Sequence, residues 1–243
     1  SAELIDWSVT SSLDTAAAGY SFSKSAPQPH ELAAFLALAA YRLVDSGAAF
    51  VRFPQDVEDK YPSIADRQSL LRAAELSGLL RSAVTPRKRL ERLLGFKHEL
   101  FTWYFAACYV LGLAPKAQRR CLRLMLEYLK WDRVVTMILV LARDPNDFER
   151  LFHGVAKHVP PLALNAAPNC SAIRPAMIRR ALISISRNSD WASHDPDHFS
   201  RFLECAPLTV LVELYEDTTI PAFIRDQIPR ALAHAYGDEA LPI

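Results

Sequence analysis

Glycine is scarce in this sequence, with seven residues among 243. The seven are widely separated along the chain: Gly19, Gly47, Gly78, Gly95, Gly112, Gly154 and Gly237. A Walker A loop and a dinucleotide-binding fingerprint both need closely spaced glycines, because their backbone N–H groups approach the phosphates directly. The sequence therefore predicts that this chain, by itself, does not bind a nucleotide through either of these motifs.

Cysteine and long apolar runs are also few. The four cysteines lie far apart, with no C-x-x-C pair and no histidine at metal-ligand spacing, a pattern typical of reduced thiols in the cytosol. The longest uncharged run, residues 100–115, is shorter than the ~20 residues that a membrane span needs. The first six residues contain two acids and no basic region, so a signal peptide is not expected. We predict a cytoplasmic protein without a membrane partner.

Neither sign of charge is in excess, since 28 basic and 27 acidic residues give a net charge of +1. This balance provides no general attraction to nucleic acid or to an anionic membrane. The hydrolase, metalloprotease and deaminase signatures G-x-S-x-G, H-E-x-x-H and H-x-E with C-x-x-C are absent from the sequence. We predict that this chain alone is not an enzyme and has no catalytic residues. His194 and His198 flank an Asp-Pro helix start, which favours helix capping over metal binding.

The sequence does contain strong helical patterning, with 51% hydrophobic residues. Residues 1–29 are rich in Ser, Ala and Pro and are interpreted as a linker or arm. Apolar periodicity and turn residues then predict helices over 30–47, 54–61 and 63–76. Two short strands are predicted at 79–84 and 90–96, although residues 90–94 also suit a helical turn. An apolar helix is predicted to follow these strands and to end at Gly112.

Residues 113–243 are predicted to form an all-helical unit. Its candidate helices cover 115–130, 132–142, 145–157, 174–187, 196–205, 207–216 and 220–236, the last with a kink at Pro229. Two of the helix starts are alike, Asp144-Pro145 and Asp195-Pro196. Aspartate at the N-cap and proline at N1 explain both locally, whereas a degenerate, HEAT-like repeat of about fifty residues is the alternative.

The most specific motif is a run of aromatic residues around one histidine. From Phe96 to Ala107 the sequence reads F-x-H-x-x-F-x-x-Y-F-A-A. This run resembles the winged-helix segment of NACHT-type STAND NTPases, and the resemblance covers about residues 30–112. It implies a mainly α fold, with a winged-helix-like domain at 30–112 that contains a short β-hairpin. Trp103 departs from the family, which often has an acid before the tyrosine, so that acid's contact is not carried over.

The resemblance also implies a role for His98. The matching histidine of the family contacts the β-phosphate of ADP and helps to hold the closed, inactive state. An imidazole N–H donates to a phosphate oxygen, and a helix N-terminus favours an anion. ADP or ATP would bind only together with an NTPase domain that this chain lacks. The alternative is a core or capping histidine that only satisfies a neighbouring carbonyl.

On this hypothesis the chain is a regulatory fragment that couples nucleotide state to sensing or oligomerisation, for example in defence signalling. Its partners would be an upstream nucleotide-binding domain and either another protein or a second copy. One alternative is a free-standing α-helical scaffold for binding proteins, which would stack helix pairs through residues 30–112. The other is a winged-helix DNA-binding regulator that contacts phosphates through the basic clusters Arg87–Arg92 and Lys116–Arg123. The helix predicted over 63–76 has few cations, so nucleic acid is the less favoured partner.

Overall fold

The computed structural model describes residues 2–19, 27–57, 59–61, 63–84, 92–159, 162–163, 166–167, 176–177, 180, 203–204, 208–218, 220 and 222–237. The described part is mainly helical and contains a three-stranded antiparallel sheet. The chain divides into two compact units, Ser1–Ile138 and Leu139–Ile243. This boundary lies after the expected one at residue 112, because the helical residues 115–125 and 132–138 belong to the first unit.

The first unit contains the sheet and most of the described helices. In chain order its elements are α1 (Ala2–Gly19), α2 (Pro29–Ser46), β1 (Val51–Phe53), α3 (Ile64–Leu76), β2 (Leu80–Val84), β3 (Arg92–Phe96), α4 (Glu99–Leu111) and α5 (Pro115–Met125). A 3₁₀ turn at Leu129–Trp131 then leads into α6 (Asp132–Leu141), which continues into the second unit. The predictions of helices α2, α3 and α4 are therefore confirmed.

The sheet has the strand order β1-β3-β2, and both strand pairs are antiparallel. Strands β2 and β3 form the hairpin that the sequence predicted, with Ser82 opposite Leu94. Strand β1, which pairs with the other edge of β3 and places Val51 opposite Leu94, was not predicted. A three-residue strand is too short to show the alternating pattern on which such predictions depend.

Helix α1 occupies most of the segment that was interpreted as a linker or arm, so that interpretation is wrong for residues 2–19. Val9, Leu13 and Ala16 follow one another at helical spacing and are buried. They lie on the side of α1 that packs against α2 and α3. Burial of this stripe stabilises a helix whose Ser- and Ala-rich composition resembles a linker.

The helix predicted over 54–61 is also wrong, since residues 54–57 and 59–60 form turns. The Asp56 carboxylate accepts a hydrogen bond from the backbone N–H of Arg52 at 2.8 Å. The same carboxylate forms an ion pair with the Arg52 guanidinium at 3.0 Å. These contacts hold the segment against the end of β1, where an aspartate competes with regular helix hydrogen bonding.

The core of the first unit lies between α2 and α4, which share the most extensive packing in the described chain. Phe35 on α2 and Phe105 on α4 are almost completely buried. Alanines at buried positions of both helices let the backbones approach closely: Ala39, Ala40, Ala106 and Ala107. Removal of this apolar surface from water fixes the position of α4 and therefore of the residues that begin it.

The second unit has the described helices α7 (Pro145–His158), α8 (Leu208–Glu216), α9 (Ala222–Arg225) and α10 (Ile228–Tyr236). Helix α7 begins as predicted, with the Asp144 carboxylate accepting from the N–H groups of Asn146 and Asp147 at 2.9 Å. The predicted kink at Pro229 is instead a break between α9 and α10, because proline fits the first turn of a helix, where no N–H is needed. The predictions for 174–187 and 196–205 fall largely on residues outside the described part.

No helix among the described residues has both the length and the apolar character that crossing a bilayer requires.

Candidate functional site

His98 lies at the junction between the central strand of the sheet and helix α4. Phe96, the last residue of β3, is buried and stacks on Phe105 with ring centroids 5.6 Å apart. The next residue, Lys97, donates its backbone N–H to the carbonyl of Leu79 at 2.9 Å. Strand pairing and ring stacking thus hold the chain on both sides of the turn, and the position of His98 is fixed by the core.

The His98 side chain is the N-cap of α4. Its backbone is extended (φ −137°, ψ 137°), and Nδ1 accepts a hydrogen bond from the backbone N–H of Leu100 at 3.1 Å. This satisfies one of the N–H groups that a helix start leaves without a partner. Since Nδ1 accepts, the hydrogen of the neutral ring is on Nε2. The capping role expected as the alternative is therefore present, and it leaves Nε2 as a donor.

His98 is exposed, and its Nε2 has no hydrogen-bond partner among the described residues. The edge of the ring faces Phe101 at a centroid distance of 6.4 Å. The neighbouring residues carry opposite charges: Lys97 and Glu99 are both exposed. Glu99 stabilises the positive end of the helix dipole. The Lys97 ammonium lies 4.0 Å from the position that a Cβ atom would take on Gly78. The turn thus offers the Nε2–H donor of His98 to an anion, in a segment that also carries one exposed cation.

A cleft of about 320 Å³ opens beside the same end of α4. Its walls include Glu99 and Trp103 from α4, the end of α2, Arg81 from β2, and Lys130 from the 3₁₀ turn. The Lys130 ammonium donates to the carbonyl of Asp45 at the C-terminal end of α2, where carbonyl groups carry partial negative charge. The cleft therefore has two cations and one carboxylate. Sequence reasoning missed it, since its residues are far apart in the chain.

Tyr104, another residue of the aromatic motif, connects α4 to α1. Its hydroxyl donates to Asp6 Oδ1 at 2.7 Å. Burial raises the pKa of Tyr104, and the nearby Cys108 and Asp6 raise it further. The phenol thus remains protonated and continues to donate at neutral pH. This contact spans almost a hundred residues of sequence and gives the tyrosine a structural role.

Cys108, one turn along from Tyr104, is expected to be an unreactive thiol. Burial raises its pKa to about 11, against the compensating effect of the Tyr104 hydroxyl. The thiolate is the nucleophile, so a pKa about two units above that of an ordinary cysteine lowers the reactive fraction about a hundredfold. We predict that iodoacetamide modifies Cys108 about a hundredfold more slowly in the folded protein than in urea at the same pH, as followed by peptide mass spectrometry. Equal rates in the two states would contradict this burial.

The basic clusters that suggested DNA binding lie in different surroundings. Of the first cluster only Arg92 is described, and its guanidinium forms an ion pair with Glu75 of α3. The second cluster lies on α5, with its four cations exposed. The exposed charges of α3 include both Asp66 and Arg72. Among the described residues, α3 therefore does not present charges of one sign.

No group of three or more metal-competent His, Cys, Asp or Glu side chains occurs in the part of the chain that the structure describes. His194 and His198, interpreted above as part of a capping segment, lie outside that part. The chain was also compared with protein-family models, with curated proteins and with solved structures. No family model, curated protein or solved structure matches it.

Proposed function

We propose that this chain is the winged-helix-like and following helical region of a NACHT-type STAND NTPase. In this proposal a separate P-loop domain binds ADP, and His98 donates Nε2–H to its β-phosphate. The contact would stabilise the closed, inactive arrangement of the two domains, and its loss would release the winged-helix-like domain. The helical region after it would transmit the change to sensing or oligomerisation. The chain itself would supply regulation and no catalysis.

The geometry of His98 is the observation that carries this proposal. A histidine that contacts a ligand of a neighbouring domain must be exposed and must keep one nitrogen for that ligand. His98 meets both conditions, because the N-cap bond uses Nδ1 and directs the hydrogen to Nε2. The adjacent Lys97 adds a positive charge, which favours phosphate.

The β2–β3 hairpin supports the winged-helix hypothesis over the scaffold alternative. A scaffold of stacked helix pairs requires helices through residues 30–112, whereas a winged helix requires two paired strands between 79 and 96. Residues 80–84 and 92–96 pair as antiparallel strands before α4. Three helices, α1, α2 and α3, pack on one another before the hairpin, with α1 in place of the expected helix at 54–61. A HEAT-like arrangement of residues 113–243 remains a prediction.

Replacement of His98 tests the proposed contact in the full-length protein that carries the nucleotide-binding domain. His98→Ser keeps a cap acceptor but removes the imidazole N–H. A hydrogen bond to a charged group contributes ~1.5–3 kcal/mol, so we expect fluorescent ADP to dissociate roughly 10–100-fold faster, measured by stopped-flow chase. His153→Ser, which changes an exposed histidine of α7, is the matched control. Unchanged ADP release from the His98 variant would reject the contact.

The reading frame that encodes residues upstream of Ser1 provides a second test. The proposal requires a P-loop there with the pattern G-x-x-x-x-G-K-[ST], whose glycines and lysine hold the phosphates. A frame without any P-loop would exclude this function even if His98 binds a phosphate elsewhere. A gel-shift experiment at low salt tests the DNA-binding alternative, because contacts between cations and phosphates are strongest there. The absence of a shift would exclude that alternative.

A further inference from the structure

Helix α5 has two contrasting faces. Gln118, Leu122 and Met125 are buried on one side. Four cations, Lys116, Arg119, Arg120 and Arg123, are all exposed. Their spacing of i, i+3, i+4 and i+7 places them on one face of the helix, in a stripe about 10 Å long at a rise of ~1.5 Å per residue.

This stripe lacks the carboxylates that usually accompany exposed arginines. None of its four cations forms an ion pair or side-chain hydrogen bond with any residue in the described part of the chain. Several other described arginines do form ion pairs, as in Arg42–Asp59, Arg52–Asp56 and Arg150–Asp147. Like charges at i and i+4 repel, so the stripe costs helix stability unless something anionic covers it.

Three apolar side chains adjoin the stripe where α5 ends. Leu124, Tyr128 and Leu129 have exposed fractions of 53%, 58% and 87%. A single acid, Glu127, lies among them. Arg and Tyr are enriched among the residues that dominate protein–protein binding energy, and the two exposed leucines add apolar surface that a partner could bury. We call these seven residues the basic–apolar surface: Lys116, Arg119, Arg120, Arg123, Leu124, Tyr128 and Leu129.

We propose that the basic–apolar surface binds an acidic amphipathic segment of a partner protein. Such a segment has carboxylates for the stripe and apolar side chains for Leu124, Tyr128 and Leu129. A nucleic-acid duplex would neutralise the stripe but has no apolar surface to cover an exposed leucine. An anionic membrane would bring Glu127 against lipid phosphates, where its charge is repelled. Charge complementarity and apolar burial together therefore favour a protein.

This surface would bind its partner whether or not His98 contacts a phosphate. It assigns a docking function to residues 116–129, beyond the nucleotide contact proposed above. Because the partner is unidentified, a synthetic probe represents its chemistry. The probe is a fluorescein-labelled helical peptide of about 15 residues, with glutamates at i, i+3, i+4 and i+7 and leucines beside them. One matched peptide has glutamine at each glutamate position, and another has serine at each leucine position.

Fluorescence anisotropy with the full chain measures the binding of these peptides. We expect the acidic amphipathic peptide to bind, and the double variant Arg119→Glu with Arg123→Glu to weaken it at least about tenfold. Leu129→Ser is expected to weaken it about fivefold, because one apolar contact is lost without any change of charge. The control for total charge is Arg72→Glu with Lys157→Glu, two exposed cations on α3 and α7. This control should leave the affinity within about twofold.

Three results would overturn the docking surface. The first is equal affinity of the leucine and serine peptides, which would mean attraction by charge alone. The second is equal weakening by the Arg72 and Lys157 control, which would mean that the position of the cations does not matter. The third is that a DNA duplex, or phosphatidylcholine vesicles containing phosphatidylserine, bind more tightly than the acidic amphipathic peptide and lose this binding in the Arg119→Glu with Arg123→Glu variant. Circular dichroism of every variant checks that the helices remain folded.

Discussion

Replacing Phe105 with alanine is expected to lower the free energy of unfolding of the first unit by about 3–5 kcal/mol, the usual cost of removing a buried aromatic ring. Phe105 is 1% exposed and lies on α4, within the core shared with α2. Its ring stacks on Phe96 at 5.6 Å and meets Tyr104 edge-on at 5.2 Å. The substitution leaves a cavity that neighbouring rings and alanines fill poorly, so both the transfer energy and the packing energy are lost.

Urea unfolding followed by tryptophan fluorescence measures this effect. Three of the four tryptophans, Trp7, Trp103 and Trp131, lie in residues 1–138, so the signal reports mainly on the first unit. Trp7→Ala is the control, because this aromatic residue of α1 is 72% exposed. We expect that control to change stability by less than about 0.5 kcal/mol. A loss below about 1 kcal/mol for Phe105→Ala would mean that α4 does not pack as described.

Much of the first unit could be predicted from the sequence because its signals are local. Helix α2 has an apolar stripe and ends at Gly47, which adopts φ +66° and so uses the left-handed conformation that glycine allows. Helix α3 begins at Ser63, whose hydroxyl accepts from the N–H of Asp66. The hairpin and α4 follow from short apolar runs bounded by turn residues. Each of these signals lies within a few residues of the element that it specifies.

The elements that the sequence did not reveal depend on distant contacts. Helix α1 contains serines, alanines and two threonines that resemble a linker, and it is stabilised by burial against α2 and α3. Strand β1 has only three residues and exists because β3 pairs with it. The turn after Pro54 depends on the side chain of Asp56, which accepts the N–H of Arg52. No local pattern encodes these partners.

The candidate site also combines features that the sequence predicts with features that only the folded structure shows. The motif identified His98, and the cap geometry follows from its position directly before an apolar helix. The free Nε2 and the exposure of the ring depend on the surrounding surface, which a sequence does not give. The cleft that contains Arg81 and Lys130 joins residues almost fifty positions apart. The stripe on α5 is a candidate for binding because none of its four cations forms an ion pair in the described part of the chain, which a sequence does not show.

Gly95, the residue that precedes Phe96 in the central strand, is the position where added volume should cost most. A Cβ atom there would lie 3.1 Å from the carbonyl oxygen of Ala49 and 3.1 Å from two ring carbons of Phe50. The Ala49 oxygen belongs to the backbone and cannot move aside by a change of rotamer. The guanidinium of Arg81 lies over the Phe50 ring, 5.1 Å from the ring centroid. Bulk at Gly95 would therefore displace the ring and the cation over it.

Gly95→Val is consequently expected to destabilise the first unit by about 3 kcal/mol, the upper part of the usual range for overpacking. Gly95→Ala should cost less, since only one carbon must be accommodated by small shifts of Phe50. Gly112→Ala is the matched control, because its nearest contact would be an ordinary 3.4 Å and its φ is −77°. That control should be neutral or slightly stabilising. Gly95→Val and Gly112→Ala could instead unfold at the same urea concentration. That result would contradict the close approach of β3 to residues 49 and 50, and it would also contradict the described position of Arg81 in the wall of the cleft.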